Sequence, residues 1–367
     1  MRQVKIIFFL PYSGICVLLK AKINKNLSFH QKKLLPLQLV SDIMTILDAI
    51  HKTIAPELAR LNDRMSAQLS TSNMLMNKVV STQLSSKGKQ IRPVIVILCS
   101  RLFGETNDNT IAAAASVELL HNATLIHDDV VDDSKTRRNQ PTINSIWDNH
   151  IAVLVGDYFV SCAMQQAIST GDIRIIDALC YLGKLLSLGE IDQIYNARYH
   201  TLTEEAYYNI ISNKTASLFV ACAKMGCYAS GVFDSRVDDL AEFARLLGLC
   251  FQIRDDVFDY FVSDAIGKPT SNDLREGKIT LPLLHTLLRD DLPDHEALVE
   301  LSRKEILDDA DIATLISFAV DNGGIDYAFR EMNRLRGEAE KTLAAFPPSE
   351  IKDTLLSLFD YIISRDH

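Results

Sequence analysis

The sequence predicts a single all-α domain of ten or more helices packed as a bundle. From residue 41 onward, apolar side chains recur at intervals of three and four, as at Ile43, Ile46, Ile50 and Ile54, which is the period of an amphipathic helix. Glycine and proline fall mainly between such stretches, and no regular apolar–polar alternation indicates a sheet. Residues 94–99, VIVILC, would suit a buried strand, but Pro93 is typical of a first helical turn and favours a helix.

Composition limits the class of protein. The chain has 367 residues, of which 47% are hydrophobic and 23% charged, as in an ordinary globular protein. A chain of this length can bury a large core without disulfides or structural metal. The net charge of −9 argues against a general nucleic-acid binder. The seven cysteines form no CxxC pair and lie in apolar stretches, so we expect reduced core thiols in a cytoplasmic protein.

The first forty residues differ from the rest of the chain. A basic start precedes an apolar run over residues 6–19, which Pro11, Ser13 and Gly14 interrupt. This run is too short and too broken to span a bilayer, and no small-residue cleavage site follows it. We therefore divide the chain into an N-terminal extension over residues 1–40, disordered or the product of an upstream start codon, and one domain over residues 41–367. The functional protein would then begin near Met44.

The first candidate site is an acidic cluster that follows an apolar helix. In LIHDDVVDDS, Asp128 and Asp132 are four residues apart and share one helix face, with Asp129 and Asp133 beside them. Carboxylates packed this closely repel one another unless cations compensate. Mg²⁺ suits such a site, because it binds one or two carboxylates and completes its shell with substrate phosphates and water. A solvated acidic helix end would give the same sequence, so the motif alone is not decisive.

A second motif of the same spacing makes chance a poor explanation. Asp255, Asp256 and Asp259 again follow an apolar helix, in FQIRDDVFDYF. Two such motifs on two amphipathic helices could face each other across a bundle and hold metal between them. Basic residues adjoin both motifs or lie in short polar segments; they are Lys89, Arg92, Arg137, Arg138, Lys214, Lys268 and Lys278. Because lysine and arginine are the usual diphosphate ligands, the pattern predicts metal-bridged polyphosphate. Neither a Walker loop nor a kinase signature supports nucleotide phosphoryl transfer.

In their order along the chain, these motifs resemble the trans-isoprenyl diphosphate synthases of the polyprenyl synthetase family, from about residue 41 to the end. The matching segments are GKxxRP at residues 88–93, ExxHxATLIHDD from Glu118, the arginine pair after the first DDxxD, GD at 156–157, GExxQ at 189–193, KTA at 214–216, FQxxDDxxD from Phe251 and GKxxxxDLxxGKxTLP at 267–282. The chain departs from the family at Asn139 and Ser271, where glycine is common.

The resemblance implies the isoprenoid synthase fold, an all-α bundle with a central cavity. It also implies an Mg²⁺-dependent prenyltransferase that condenses isopentenyl diphosphate with an allylic primer, such as farnesyl or geranylgeranyl diphosphate. Three Mg²⁺ ions would lie between the two motifs, two on Asp128 and Asp132 and the third on Asp255. The full implied metal set is Asp128, Asp129, Asp132, Asp255, Asp256 and Asp259, with Asp256 and Asp259 helping through water.

The resemblance further assigns substrate-binding residues. The isopentenyl diphosphate site would comprise Lys89, Arg92, His121 and Arg138. The allylic diphosphate site would comprise Arg137, Lys214, Thr215, Gln252, Lys268 and Lys278. The catalytic residues would be Asp128, Asp132, Asp255, Lys214 and Arg137, because they and the metals neutralise the charge that develops on the leaving diphosphate.

Two other functions fit part of the pattern. A class I terpene cyclase would share the first acidic motif, but its second metal motif normally reads Asn/Asp-x-x-Ser/Thr-x-x-x-Glu, and it needs no isopentenyl site. A non-catalytic partner subunit usually loses one or both acidic motifs, whereas this chain keeps both.

The length of the product depends on the floor of the tunnel that takes the prenyl tail. In the family, the side chains four and five positions before the first motif form part of this floor, and short-chain synthases usually place an aromatic residue there. Here the positions are Thr124 and Ala123, both small. The sequence therefore predicts a medium or long, octaprenyl-like product suited to a quinone side chain, with Phe159, Ala163 or Met164 closing the tunnel. The alternative is a short-chain synthase that makes farnesyl or geranylgeranyl diphosphate.

The resemblance also implies a homodimer, with the helix that carries the first acidic motif near the interface. The apolar residues over 109–127 exceed what one helix face needs, which agrees with that arrangement. We expect contact with a membrane to be at most transient, during product release.

Overall fold

Helices make up nearly all of the structure, a computed structural model that describes residues 46–85, 88–137, 140–199, 201–261 and 271–365. The extension predicted over residues 1–40 lies outside the described residues, and that division stays a prediction. After a helical segment at 46–53, the helices are α1 (Ala55–Leu69), α2 (Met74–Ser85), α3 (Ile91–Arg101), α4 (Asp108–Val131), α5 (Ile143–Ile146), α6 (Asn149–Ser169), α7 (Ile173–Tyr199), α8 (Glu204–Ile211), α9 (Ser217–Ala229), α10 (Arg236–Phe258), α11 (Asn272–Arg275), α12 (Leu281–Leu287), α13 (His295–Ser302), α14 (Asp309–Asp321), α15 (Gly324–Thr342) and α16 (Glu350–Ser364). The all-α prediction is confirmed.

Local sequence signals explain where the long helices begin. Asn107 and Thr110 form a reciprocal capping box at the start of α4, in which the Asn107 side chain accepts from the Thr110 N–H at 2.9 Å. The Asp148 side chain caps α6 by accepting from the Ile151 N–H at 2.8 Å. Residues 94–99 lie in α3, and they are buried on every side, which is why they show no helical periodicity.

The core of the bundle surrounds α9. This helix packs against α3, α4, α7 and α10. Its close approach to α3 requires Gly226, because a Cβ there would lie 2.4 Å from the Val96 carbonyl oxygen. The free thiols of five cysteines are buried; they are Cys99, Cys162, Cys222, Cys227 and Cys250. The prediction of a core position was wrong for Cys180, which lies on the exposed face of α7.

A short hairpin follows the first acidic motif. Strands β1 (Thr136–Arg137) and β2 (Gln140–Pro141) pair antiparallel, with Arg137 opposite Gln140. Strands of two residues are too short to show alternation in the sequence, so the sequence did not indicate them. The hairpin holds Arg137 beside the end of α4.

The apolar excess of α4 is buried within the chain. Residues 111–117 of this helix are all buried, and the helix packs along α6. The exposed large apolar side chains of α6 and α7 include Val153, Leu154, Met164, Ile168, Ile173, Tyr181, Leu188 and Ile191. Among the described residues, Asn149–Ser169 is the one helix whose length and composition would suit a membrane span, and 44% of its most apolar window is buried in the bundle.

Candidate active site

The two acidic motifs meet at one cavity because they end two helices of the same bundle. Asp128 lies in the last turn of α4 and Asp255 in the last turn of α10. Both line a cavity of about 280 Å³, to which Arg92, His121 and Lys214 also contribute. Carboxylates from two helices and cations from two others therefore surround a common space.

The carboxylates of the first motif have different surroundings. Asp128 lines the cavity, whereas Asp129 is buried, and its Oδ1 accepts a hydrogen bond from Nε of Arg137 at 2.8 Å. Asp133 is on the surface, where it pairs with Lys135 at 2.6 Å. Asp129, predicted as a metal ligand, is thus engaged in holding the Arg137 guanidinium beside the motif.

In the second motif, Asp255 is tied to the end of the chain. Its Oδ1 forms an ion pair with the guanidinium of Arg365, which also donates to the carbonyl of Phe251 at 3.2 Å. The carbonyl of Arg365 in turn accepts from the buried guanidinium of Arg254. The guanidinium of Arg365 lies 4.1 Å from the centroid of the Phe251 ring. The C-terminal segment therefore packs against the second acidic motif.

The other two carboxylates of this motif are fully engaged in hydrogen bonds. Asp256 accepts from the Tyr207 hydroxyl at 2.6 Å and from Nε2 of Gln252 at 2.8 Å, one on each oxygen. The oxygens of Asp259 accept from the backbone N–H groups of residues 272–273 at 3.1 and 3.0 Å. Both side chains were predicted to help metal binding through water, and here each orients a neighbouring part of the site.

Lys214 reaches the cavity because the helix widens locally. It lies in a π-helical turn, Ser212–Ala216, between α8 and α9, and such turns are frequent at functional sites. The turn packs directly on α7 at Gly189, where a Cβ would lie 2.7 Å from the Lys214 backbone nitrogen. The Lys214 ammonium is held by Glu190 at 2.5 Å and by Gln193 at 3.2 Å.

A second cavity of about 180 Å³ adjoins the first. It is lined by Tyr207, Asp256 and Lys278, among others. Lys278 pairs with Glu276. The two cavities share Lys214, Thr215 and Gln252 as lining residues, so these three side chains stand between them.

Burial disfavours the charged forms of the carboxyl groups at the cavity. Burial raises the pKa of Asp128 from 3.8 to about 6; the Lys214 ammonium opposes this rise, and Glu190 and Asp132 add to it. Burial likewise raises the pKa of Asp132 and of Asp255. A bound divalent cation would stabilise the charged forms.

The donor set fits a divalent ion that a diphosphate completes. Within the described ranges, no three His, Cys, Asp or Glu side chains converge closely enough to hold a metal by themselves. Mg²⁺ takes only one or two carboxylates and fills its octahedron with phosphate oxygens and water. Asp128, Asp132 and Asp255 offer hard oxygen ligands of that kind from the ends of two helices.

The structure describes three of the four residues that were predicted to bind isopentenyl diphosphate. Arg92 and His121 line the same cavity as the acidic motifs. The Lys89 ammonium lies 5.8 Å from the centroid of the Tyr361 ring on α16. Arg138 and Lys268, the latter predicted for the allylic site, lie outside the described residues.

The predicted chain-length residues differ in their surroundings. Thr124 lines it and donates to the His121 carbonyl at 2.9 Å, while Ala123 and Phe159 are fully buried. Met164 is 47% exposed on the outer face of α6, so it does not close a tunnel inside the bundle. The reason is angular, since one residue along a helix turns the side chain by about 100°, and it is the neighbouring Ala163 that faces inward.

Three residues of the site were not predicted. Glu190 stood inside the GExxQ segment and was given no role. Tyr207 lies seven residues, or two helical turns, before Lys214, and that spacing could have placed both on one face. Arg365 carried no signal, because a single arginine near the end of a chain is usually a surface charge.

Together, the all-α bundle and its carboxylate- and cation-lined cavity define an enzyme that acts on organic diphosphates. A model of the polyprenyl synthetase family matches residues 73–318. An octaprenyl diphosphate synthase from Haemophilus influenzae is 33% identical over 334 residues, which cover 89% of this chain and 99% of that protein.

Solved structures of similar proteins support the same family. A polyprenyl synthase from Caulobacter crescentus, complexed with calcium and isoprenyl diphosphate, has a TM-score of 0.81 and 30% identity, over 88% of this chain and 98% of that one. A geranylgeranyl pyrophosphate synthase from Bacteroides thetaiotaomicron has a TM-score of 0.74 and 35% identity, over 87% and 100%. The chain belongs to the polyprenyl synthetase family and is a prenyltransferase.

Proposed function

We propose that this enzyme condenses isopentenyl diphosphate with an allylic diphosphate in an Mg²⁺-dependent reaction and makes a medium- or long-chain all-trans polyprenyl diphosphate. The observation that carries the proposal is the single cavity that Asp128 and Asp255 share with Lys214, Arg92 and His121. Carboxylates for metal and two groups of cations for two diphosphates are what a two-substrate prenyl transfer needs.

Mg²⁺, held by Asp128, Asp132 and Asp255 together with the allylic diphosphate, would neutralise the charge of the leaving group. Lys214 and Arg137 bind the same diphosphate. Both are held in advance, Lys214 by Glu190 and Arg137 by Asp129, so little side-chain entropy is lost when substrate binds. Arg92 and His121, which line the same cavity, hold isopentenyl diphosphate.

The chemistry requires a dry, acceptor-lined space. The allylic carbon–oxygen bond breaks, the isopentenyl double bond attacks the resulting cation, and a proton leaves to the departed diphosphate. Thr215 and Gln252 line the cavity, and their side-chain oxygen atoms can stabilise the positive charge. Water must be excluded, because it would quench the cation.

Within this proposed function, we favour a long product over a short one. The small, buried Ala123 supports a long product, as does the likeness to the octaprenyl synthase. The likeness to the geranylgeranyl synthase favours the runner-up, a short-chain enzyme.

One assay decides between the two. We expect purified protein with labelled isopentenyl diphosphate, farnesyl diphosphate and Mg²⁺ to give products of roughly forty carbons, which dephosphorylation and thin-layer chromatography resolve. Ala123→Tyr should shorten the products without stopping turnover. Thr124→Ala adds space and should therefore not shorten them. Loss of labelled product in EDTA and its return with Mg²⁺ tests the metal. Wild-type protein that stops at farnesol or geranylgeraniol would contradict the long-chain product.

We further propose a homodimer, with its interface on α6 and α7 and not on α4, whose residues 111–117 are buried within the chain. Leu154, Ile168 and Ile191 are more than half exposed on these helices, and a soluble chain seldom leaves so large an apolar surface uncovered. Sedimentation should give about 82 kDa, twice the 41.0 kDa of the chain. Leu154→Asp should shift the mass toward the monomer; a wild-type monomer at micromolar concentration would overturn the proposal.

A further inference from the structure

A hydrogen-bonded chain of four side chains runs from the second cavity to the first. The Tyr207 hydroxyl donates to Oδ2 of Asp256, and Oδ1 of Asp256 accepts from Nε2 of Gln252. Oε1 of Gln252 accepts from the Thr215 hydroxyl at 2.6 Å. We infer that Tyr207 is a positioning residue, which holds Asp256 so that the Gln252 amide presents its oxygen, and not its NH₂ group, to the reacting allylic cation. This inference rests on the proposed function.

The direction of each hydrogen bond follows from what the groups can do. The Gln252 NH₂ group donates to Asp256, and the oxygen of the same amide therefore points the other way. That oxygen accepts a hydrogen bond from the Thr215 hydroxyl, whose own oxygen keeps its capacity to act as an acceptor. Thr215 and Gln252 both line the cavity that Asp128 and Asp255 line. A cation in that cavity therefore meets the negative ends of two dipoles.

Tyr207 makes this orientation rigid. Asp256 is 4% exposed and Tyr207 7%, so water does not readily replace either partner. With both carboxylate oxygens engaged, Asp256 cannot rotate, and the Gln252 amide cannot turn over without losing its acceptor. Without the Tyr207 hydroxyl, one oxygen loses its donor, and the carboxylate is free to swing away from Gln252. A preoriented dipole contributes to catalysis because it need not reorganise as the charge forms.

The neighbouring tyrosine supplies a matched control. Tyr208 packs edge-on against the Tyr207 ring, with ring centroids 5.4 Å apart. Its hydroxyl donates to Glu331 at 3.3 Å, on α15 and away from the chain that reaches Gln252. Tyr207→Phe and Tyr208→Phe thus remove the same atom from adjacent residues of α8, and only the first disturbs the orientation of Gln252.

The test compares binding of a cation mimic with binding of its neutral counterpart. In calorimetric titrations with Mg²⁺ and inorganic diphosphate present, wild-type protein should bind a farnesyl-length prenyl ammonium more tightly than farnesol. Tyr207→Phe should lose about tenfold in affinity for the ammonium and nothing for farnesol, and kcat should fall about tenfold with KM nearly unchanged. Tyr208→Phe should change none of these.

The outcomes separate the two proposals. If the wild type does not prefer the ammonium and forms no prenyl product, the proposed function fails. If it prefers the ammonium and Tyr207→Phe keeps the full preference and kcat, the role of Tyr207 is refuted. Equal losses for the ammonium and for farnesol would also refute it, since they would show a merely structural role.

Discussion

The charge on Asp128 should make the ligand-free enzyme less stable than it could be. Burial raises the pKa of this carboxyl from 3.8 to about 6. At about 1.4 kcal/mol per pKa unit, holding the charged form in the folded state costs up to about 3 kcal/mol. Because the side chain still touches solvent, we expect Asp128→Asn to recover about 1–2 kcal/mol of that. The variant should be more stable and inactive.

The cost of the charged Asp128 side chain to the stability of the fold depends on pH. Since the folded pKa lies above the unfolded one, the cost is absent below about pH 4, grows up to about pH 6 and is complete above it. In urea unfolding with EDTA, Asp128→Asn should therefore raise the free energy of unfolding more at about pH 7.5 than at about pH 5. Asp177→Asn, on an exposed position of α7, should show no gain at either pH. A gain for Asp128→Asn that is equal at both pH values, or a loss, would refute the reasoning.

Three shorter predictions follow from the same contacts. Because Asp128 must lose its proton to bind metal, the affinity for Mg²⁺ with inorganic diphosphate should fall as the pH drops through about 6, which calorimetric titration measures. Gly189→Ala places a Cβ 2.7 Å from the Lys214 nitrogen and should reduce kcat at least about tenfold, whereas Gly183→Ala on the same helix meets nothing within 4 Å and should be harmless. Ser271 has a φ of +68°, so Ser271→Gly should raise the free energy of unfolding by about 1 kcal/mol in urea titrations.

The helices, and the position of the two acidic motifs at helix ends, could be predicted because both follow from periodicity. A spacing of four residues on an apolar helix places Asp128 and Asp132 on one face, whatever the rest of the chain does. Periodicity does not say which of two adjacent carboxylates faces the cavity. Asp129 turns away because Arg137, on a hairpin that no pattern indicated, pairs with it. The same limit explains Met164, which is exposed while its neighbour Ala163 is buried.

Contacts between segments that are distant along the chain could not be predicted from the sequence. Arg365 pairs with Asp255 across 110 positions, and Tyr207 pairs with Asp256 across 49. Nothing in either local sequence indicates the partner, because the meeting depends on how α8, α10 and α16 pack. The family preference for glycine at position 271 did carry a structural signal, since this chain places Ser271 in the left-handed region.

The three carboxylates of the second acidic motif have three different roles. Asp255 faces the cavity, with a guanidinium on one oxygen. Asp256, turned about 100° further round the helix, lines the second cavity and fixes a neighbouring amide. Asp259 lies at the end of α10, where the chain turns, and its oxygens cap the segment that leads to Lys278. Replacing Asp259 should therefore act on the loop that carries Lys278 as much as on the metal, and the loss of affinity for diphosphate without Mg²⁺ would reveal that part.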